Sequence, residues 1–153
     1  MHQHTGNWPG KTVENAIGYY KYKDDTYKIV DLPGTYSLIS SSKEEEIARD
    51  YLCFSKQDLV LVVCDATNLK RNLNLVLQIL EIKKEVIVVV NLLDEARKKK
   101  IKIDLEELSN ILGVPVVGCS ARNNEGITTL KEKIKNYQES DTYKIKYSSY
   151  LES

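Results

Sequence analysis

The chain has 153 residues with 22 basic and 22 acidic side chains, long enough for one domain with a buried core and without the net charge that favours nucleic acid or an anionic membrane. Its hydrophobic share of 42% fits an ordinary globular protein, and its longest unbroken apolar stretch, residues 59–64, is far short of the roughly 20 residues a membrane helix needs. The N-terminus "MHQHTGNWPG" lacks a charged segment followed by an apolar block, which excludes a signal peptide.

In chain order, an opening loop precedes residues 13–23, which are rich in Tyr and β-branched or apolar side chains and read as a strand. Asp24-Asp25 is expected to turn the chain into a second strand over 26–30, giving an antiparallel hairpin. In "SSSKEEEIARDYLCF", Ser42 with Glu45 three residues on forms a capping box, and Ile47, Ala48, Tyr51 and Leu52 recur at helical spacing. "DLVLVVCDATN" is a short apolar run with a polar end. Residues 70–82 are expected to be helical, with Leu73, Val76, Leu77 and Leu80 on one stripe. "VIVVVNLLD" repeats the run-then-polar pattern. Asp104 and Glu107 then cap a helix that turns Leu105, Leu108, Ile111 and Leu112 inward and stops at Gly113. "VPVVGCSA" is a third apolar strand, and Ile127, Leu130, Ile134 and Tyr137 line a last helix. Tyr143, Ile145 and Tyr147 alternate in the polar tail as in a short strand. Apolar strands alternating with helices imply an α/β fold, with a mostly parallel sheet covered by helices on both faces. The three scattered cysteines, Cys53, Cys64 and Cys119, have no CxxC spacing and are expected to be reduced, buried thiols of a cytosolic compartment.

Ligands of such folds sit at the carboxyl ends of the parallel strands. There, "DLPG" offers Asp31 as a Mg²⁺ ligand and Gly34 as an N–H that can approach a terminal phosphate, although D-x-P-G is also common turn chemistry. "NLLD" brings Asn91 and Asp94. A carboxylate there can accept two hydrogen bonds from guanine that adenine cannot supply. The plainer alternative is a strand end that caps the next helix, and the lack of a Lys between the two residues favours it. "SAR" would add a backbone N–H for the guanine oxygen. Each motif is weak alone, but D-x-x-G, N-x-x-D and S-A in that order at successive strand ends are strong together. Arg97-Lys98-Lys99-Lys100 reads as a solvated face and His2 and His4 as terminal residues, and no nucleophilic triad spacing occurs.

The segments "GNWPGKTVE", "VDLPGTYSL", "EEEIARDYL", "DATNLKRNLNLVLQ" and "GVPVVGCSAR" make the sequence resemble the GTP-binding domain of the ferrous-iron transport protein B family, FeoB, over almost its whole length. The resemblance implies a three-layer, Ras-like P-loop GTPase fold. Gly10-Lys11-Thr12 nevertheless does not belong to a phosphate loop. G-x-x-x-x-G-K-[ST] requires a Gly five residues before Gly10, where Thr5 stands, with a strand before the loop and a helix after it. By resemblance the stretch is a first switch loop, in which Thr12 binds Mg²⁺ and senses the γ-phosphate, while Lys11 has no phosphate role. Asp31 and Gly34 would serve the metal and the γ-phosphate. Asn91 and Asp94 would read guanine, and Ser120 and Ala121 would close the base pocket. Leu92 is no objection, because the family tolerates an apolar residue there. Thr35 follows "DLPG" where many GTPases carry a Gln, so no side chain is assigned to water activation, and hydrolysis is expected to be slow.

The resemblance also implies GTP or GDP and Mg²⁺ as ligands, the membrane portion of a ferrous iron transporter as partner, no nucleic acid, and a place on the cytoplasmic side of the cell membrane. The family's first strand, phosphate loop and first helix have no counterpart in this sequence. Residues 1–137 are therefore expected to be a truncated G domain and 138–153 a tail toward a helical and membrane region. The expected origin is a split gene, a late start codon or a truncated copy. An alternative is a non-hydrolysing remnant or interaction fragment that needs an upstream phosphate-loop segment as partner. The strand ending in "DLPG" and the "LVLVVCD" strand would then have to pair directly or leave backbone groups unpaired.

Overall fold

Apolar side chains at every position from Val86 to Val90 can be sheltered only in a strand with neighbours on both sides and cover on both faces. The computed structural model describes residues 2–8, 14–39 and 42–148, with side chains over 6–8, 15–39 and 42–137. It places that apolar run at the centre of the second of two units, Met1–Ser55 and Lys56–Ser153.

The first unit is an antiparallel sheet in the order β1-β2-β3, from β1 (His2–Asn7), β2 (Glu14–Tyr22) and β3 (Asp25–Asp31), with helix α1 (Lys43–Phe54). The hairpin is present with its turn one residue earlier than expected. Tyr22 faces Asp25, and Lys23 takes a left-handed φ of 56°, so Lys23-Asp24 forms the two-residue loop. Tyr20 stacks on Tyr27 directly across the ladder at 4.8 Å, and its phenol is pushed up to about 12, first by burial and then by Tyr27. Strand β1 was not expected. It carries His2 and His4 opposite Tyr19 and Ile17, and its sequence "HQHTGN" has no apolar alternation, so pairing along β2 defines it. Helix α1 starts with Ser42 as its N-cap, as expected. The Ser42 hydroxyl accepts from the Glu45 N–H at 3.2 Å and donates to Glu45 Oε1 at 3.0 Å, and Ile47, Ala48 and Leu52 are buried.

The second unit is a parallel sheet in the order β4-β5-β6, from β4 (Val60–Asp65), β5 (Val86–Asn91) and β6 (Val116–Gly118). Its helices are α2 (Leu69–Ile82), α3 (Leu93–Lys98), α4 (Leu105–Leu112) and α5 (Ile127–Ser148). β4 and β5 pair from Val60–Val86 to Asp65–Asn91, which brings the polar strand ends level. Among the described residues β3 and β4 belong to separate sheets.

Three other expectations change. Leu77 and Ile111 are exposed, because Ile79 takes the buried place on α2 and the eight-residue α4 is too short to bury every apolar position. Cys53 is exposed, whereas Cys64 and Cys119 are buried, and burial pushes the Cys64 thiol up to about 11. Finally, the alternation at 143–147 lies within α5, since no Gly or Pro after Gly126 ends that helix.

Ile87 is fully buried at the sheet centre and Ile111 is 71% exposed. Ile87→Ala should cost about 2–5 kcal/mol of stability in urea denaturation, while Ile111→Ala should stay within about 0.5 kcal/mol of the parent.

Candidate functional site

Level strand ends bring two loops together at the carboxyl edge of the parallel sheet. β5 ends at Asn91, and Leu92 takes a left-handed conformation at φ 67° and ψ 33°, so α3 begins at the next residue. That conformation costs a leucine about 1–2 kcal/mol, and it places Asp94 in the first turn of a helix rather than on the strand. The second loop follows β6. Cys119 N donates to Val90 O at 2.8 Å, and Leu93 N donates to Cys119 O at 3.1 Å, so the loops share backbone bonds. Asn91 adds a side-chain link, its Oδ1 accepting from Ala121 N at 3.0 Å and from Cys119 Sγ at 3.5 Å.

Beyond Cys119 the chain doubles back. Ser120 and Glu125 exchange backbone bonds of 3.0 and 3.1 Å, and Ser120 is 1% exposed. Gly126 makes the return possible, because at φ 80° a side chain there would be strained and its Cβ would collide with the Gly118 carbonyl.

Asp94 lies at the centre, its side chain 13% exposed. Its Oδ2 receives Arg122 at 3.3 Å and Asn123 Nδ2 at 3.4 Å, both longer than a well-formed bond. Its Oδ1 is buried with no hydrogen-bond partner of regular geometry. The Ser120 hydroxyl does most to hold this carboxyl below the usual carboxylate range; burial opposes it, and the Glu95 N–H and Arg122 assist. Besides Arg122–Asp94, two further ion pairs cross between the loops, in opposite senses. Arg97 of α3 reaches Glu125 through both terminal guanidinium nitrogens, and Arg122 reaches back to Glu95 at 2.7 Å. Hydrogen bonding from Arg97 holds the Glu125 carboxyl low.

Asn91, Asp94, Ser120 and Ala121 thus come together in the second unit. Asp31 and Gly34 belong to the first, at the end of β3, both exposed, and Thr12 lies outside the described residues. Nothing stands within 4 Å of where a Gly34 side chain would begin, so packing inside the chain gives no reason for glycine there. A pocket of ≈ 330 Å³ lies beside it, lined by Thr35, Ser37, Ser42 and Glu45 among others. Thr35 is engaged locally, its hydroxyl donating to Ser37 O at 2.6 Å.

Motif reading missed Arg97, Arg122, Asn123 and Glu125. Arg97 belongs to a basic run whose Lys98, Lys99 and Lys100 are exposed as expected, and nothing in the spacing separates it from them. It also missed Trp8, whose ring meets Tyr51 of α1 edge-on at 5.4 Å. Among the described residues no cluster of three potential metal ligands gathers, and no helix is long and apolar enough to cross a membrane.

The family model for ferrous iron transport protein B matches residues 1–134. The Fe(2+) transporter FeoB of Salmonella typhimurium strain LT2 is 44% identical over 147 residues, which cover 94% of this chain and 19% of the relative, so the chain spans about a fifth of that protein's length. Among solved structures, the G domain of the T. maritima FeoB iron transporter superposes with a TM-score of 0.83 at 48% identity, over 89% of this chain and 83% of that one. The cytosolic domain of the same transporter in a GDP form gives 0.84 at 50% identity, over 88% of this chain and 53% of that one. With a family match over most of its length and close to half its residues shared with such relatives, the chain belongs to the ferrous iron transport protein B family and corresponds to part of its N-terminal G domain.

Proposed function

We propose that this chain is the guanine-reading and switch portion of a GTP-binding domain that couples nucleotide state to Fe²⁺ uptake, acting on the cytoplasmic side of a membrane transporter. The observation that carries the reading is the convergence of Asp94, Ser120 and Ala121 on one spot, with Asn91 linking the two loops. The Asp94 carboxylate suits the N1–H and exocyclic amine of guanine, whereas adenine presents an acceptor at the first of these positions. A GDP form of a relative half identical to this chain supports the same ligand class.

Asp31 offers Mg²⁺ a hard oxygen ligand, and Gly34 offers a backbone N–H that a phosphate oxygen can approach. Mg²⁺ commonly takes one or two protein carboxylates and completes its shell with water and phosphate oxygens, so a single exposed Asp fits it. When bound, the ion neutralises phosphate charge. Thr12 is the proposed second ligand and γ-phosphate sensor. The sequence contains no G-x-x-x-x-G-K-[ST] cradle for the β-phosphate, so affinity for GDP is expected far below that of a domain that has one, with little or no hydrolysis.

A second reading is favoured by β4. It is the outer strand of its sheet, and Leu61 and Val63 on one of its faces are 37% and 62% exposed, which suits an added strand. Co-expression with a peptide carrying an apolar strand and a phosphate loop should raise thermal stability and GDP affinity together. No change in either would overturn complementation.

Titration with fluorescent GDP should show weak binding. Tight, Mg²⁺-dependent binding by this chain would contradict the weakness expected without a cradle. Asp94→Asn should lose the response to GDP and gain one to xanthosine diphosphate, because an amide donates to the xanthine carbonyl that replaces the amine. Retained GDP preference in that variant would remove Asp94 from the reading.

The carboxyls of Asp94 and Glu125 are both held low in the fold, so the stability they contribute is fully present above about pH 4.3, the ordinary carboxylate range, and is lost as pH falls through their lower folded values. Melting temperatures should therefore hold from pH 7 to 5 and fall below 4. Glu125→Gln should shrink that acid loss, and salt should shrink it further because the pairs are exposed.

A further inference from the structure

We propose that Arg122 competes with the purine base for Oδ2 of Asp94, and that Glu95 is the alternative partner that receives the guanidinium when the base binds. This rests on the reading of Asp94 as the base-selective carboxylate. A base that donates two parallel N–H groups needs both carboxylate oxygens. The carboxyl already has the Ser120 hydroxyl beside it, its Oδ1 is buried without a partner of regular geometry, and its Oδ2 is met by Arg122 at 3.3 Å and Asn123 at 3.4 Å. Both contacts are long enough to exchange readily.

Arg122 has its better bond elsewhere, to Glu95 Oε1 at 2.7 Å, from the same terminal nitrogen. The guanidinium is 62% exposed, so it can withdraw from Asp94 and keep a charged partner and water around its other nitrogens. Lys98 also lies 3.5 Å from Glu95 and shares that carboxylate. Arg97 does not compete for it, being held by Glu125. Glu95 and Asp94 are neighbours in the first turn of α3, and Arg122 sits one residue after Ala121, so the exchange needs only side-chain rotation.

Guanosine, which carries no phosphate charge, isolates the base contact and can be followed through the Ala121 and Asp94 amide resonances of the full chain. Arg122→Ala should tighten guanosine by about two- to fivefold, the span expected for freeing one partly exposed ion-pair partner. Glu95→Ala should weaken it, because Arg122 is left with Asp94 alone. The double variant should match Arg122→Ala, since Glu95 acts only through Arg122. Opposite signs and this masking are not what simple loosening of the loop would give. A ligand-free readout accompanies them: the Asp94 carboxyl, titrated by ¹³C resonance, should move toward its ordinary range in Arg122→Ala.

If wild type does not prefer guanosine to adenosine, the assignment of Asp94 fails and the exchange falls with it. If the preference is present but Arg122→Ala binds no tighter, or the Asp94 titration does not move, the exchange alone is overturned.

Discussion

One side-chain amide at the end of the most buried strand holds the candidate site together. Asn91 terminates β5, whose preceding residues have no freedom to shift because every one is packed on both faces. Its Oδ1 is therefore a fixed point, and the bond from Ala121 N ties the loop after β6 to it. Ser120, Glu125 and Gly126 take their positions from that tie. So do the charged groups that cross to α3, because Arg122 and Glu125 stand on the same short return of chain. The sheet's rigidity thus passes outward through a few hydrogen bonds to side chains that are themselves largely exposed.

A chain with no net charge can still be strongly polarised where it matters. Acidic groups Asp94, Glu95 and Glu125 and basic groups Arg97 and Arg122 are interleaved between two loops, each cation reaching across to the other loop's anion. Being exposed, they contribute modestly to stability. Their larger effect is on how easily a carboxylate can be reached.

The parallel unit was legible because its signals are periodic and unmixed: apolar runs end in polar residues, and α4 begins with an Asp104 cap whose partner is three residues on, as Ser42 does for α1 in the first unit. The four residues Asn91, Asp94, Ser120 and Ala121 could be picked out by their order along the chain. What could not be read was anything decided by pairing across distance. β1 has no pattern of its own, the exposure of Ile111 depends on how short α4 is, and α5 runs through a stretch whose local alternation suggests a strand. The same holds for Arg97 and Arg122. A guanidinium in a basic run or after "SA" gains a role only from the carboxylate that folding brings near it, 28 residues away in the case of Arg97 and Glu125.

Trp8 is the chain's single tryptophan, and it stands just before the segment that carries Thr12. Its ring lies edge-on to Tyr51, and its indole N–H is buried without an acceptor. An excited indole is sensitive to such surroundings, so any rearrangement that gave this N–H a partner or moved the ring from Tyr51 would shift the colour of its emission. The protein therefore carries a built-in optical label next to the segment that holds Thr12, with no second tryptophan elsewhere in the chain.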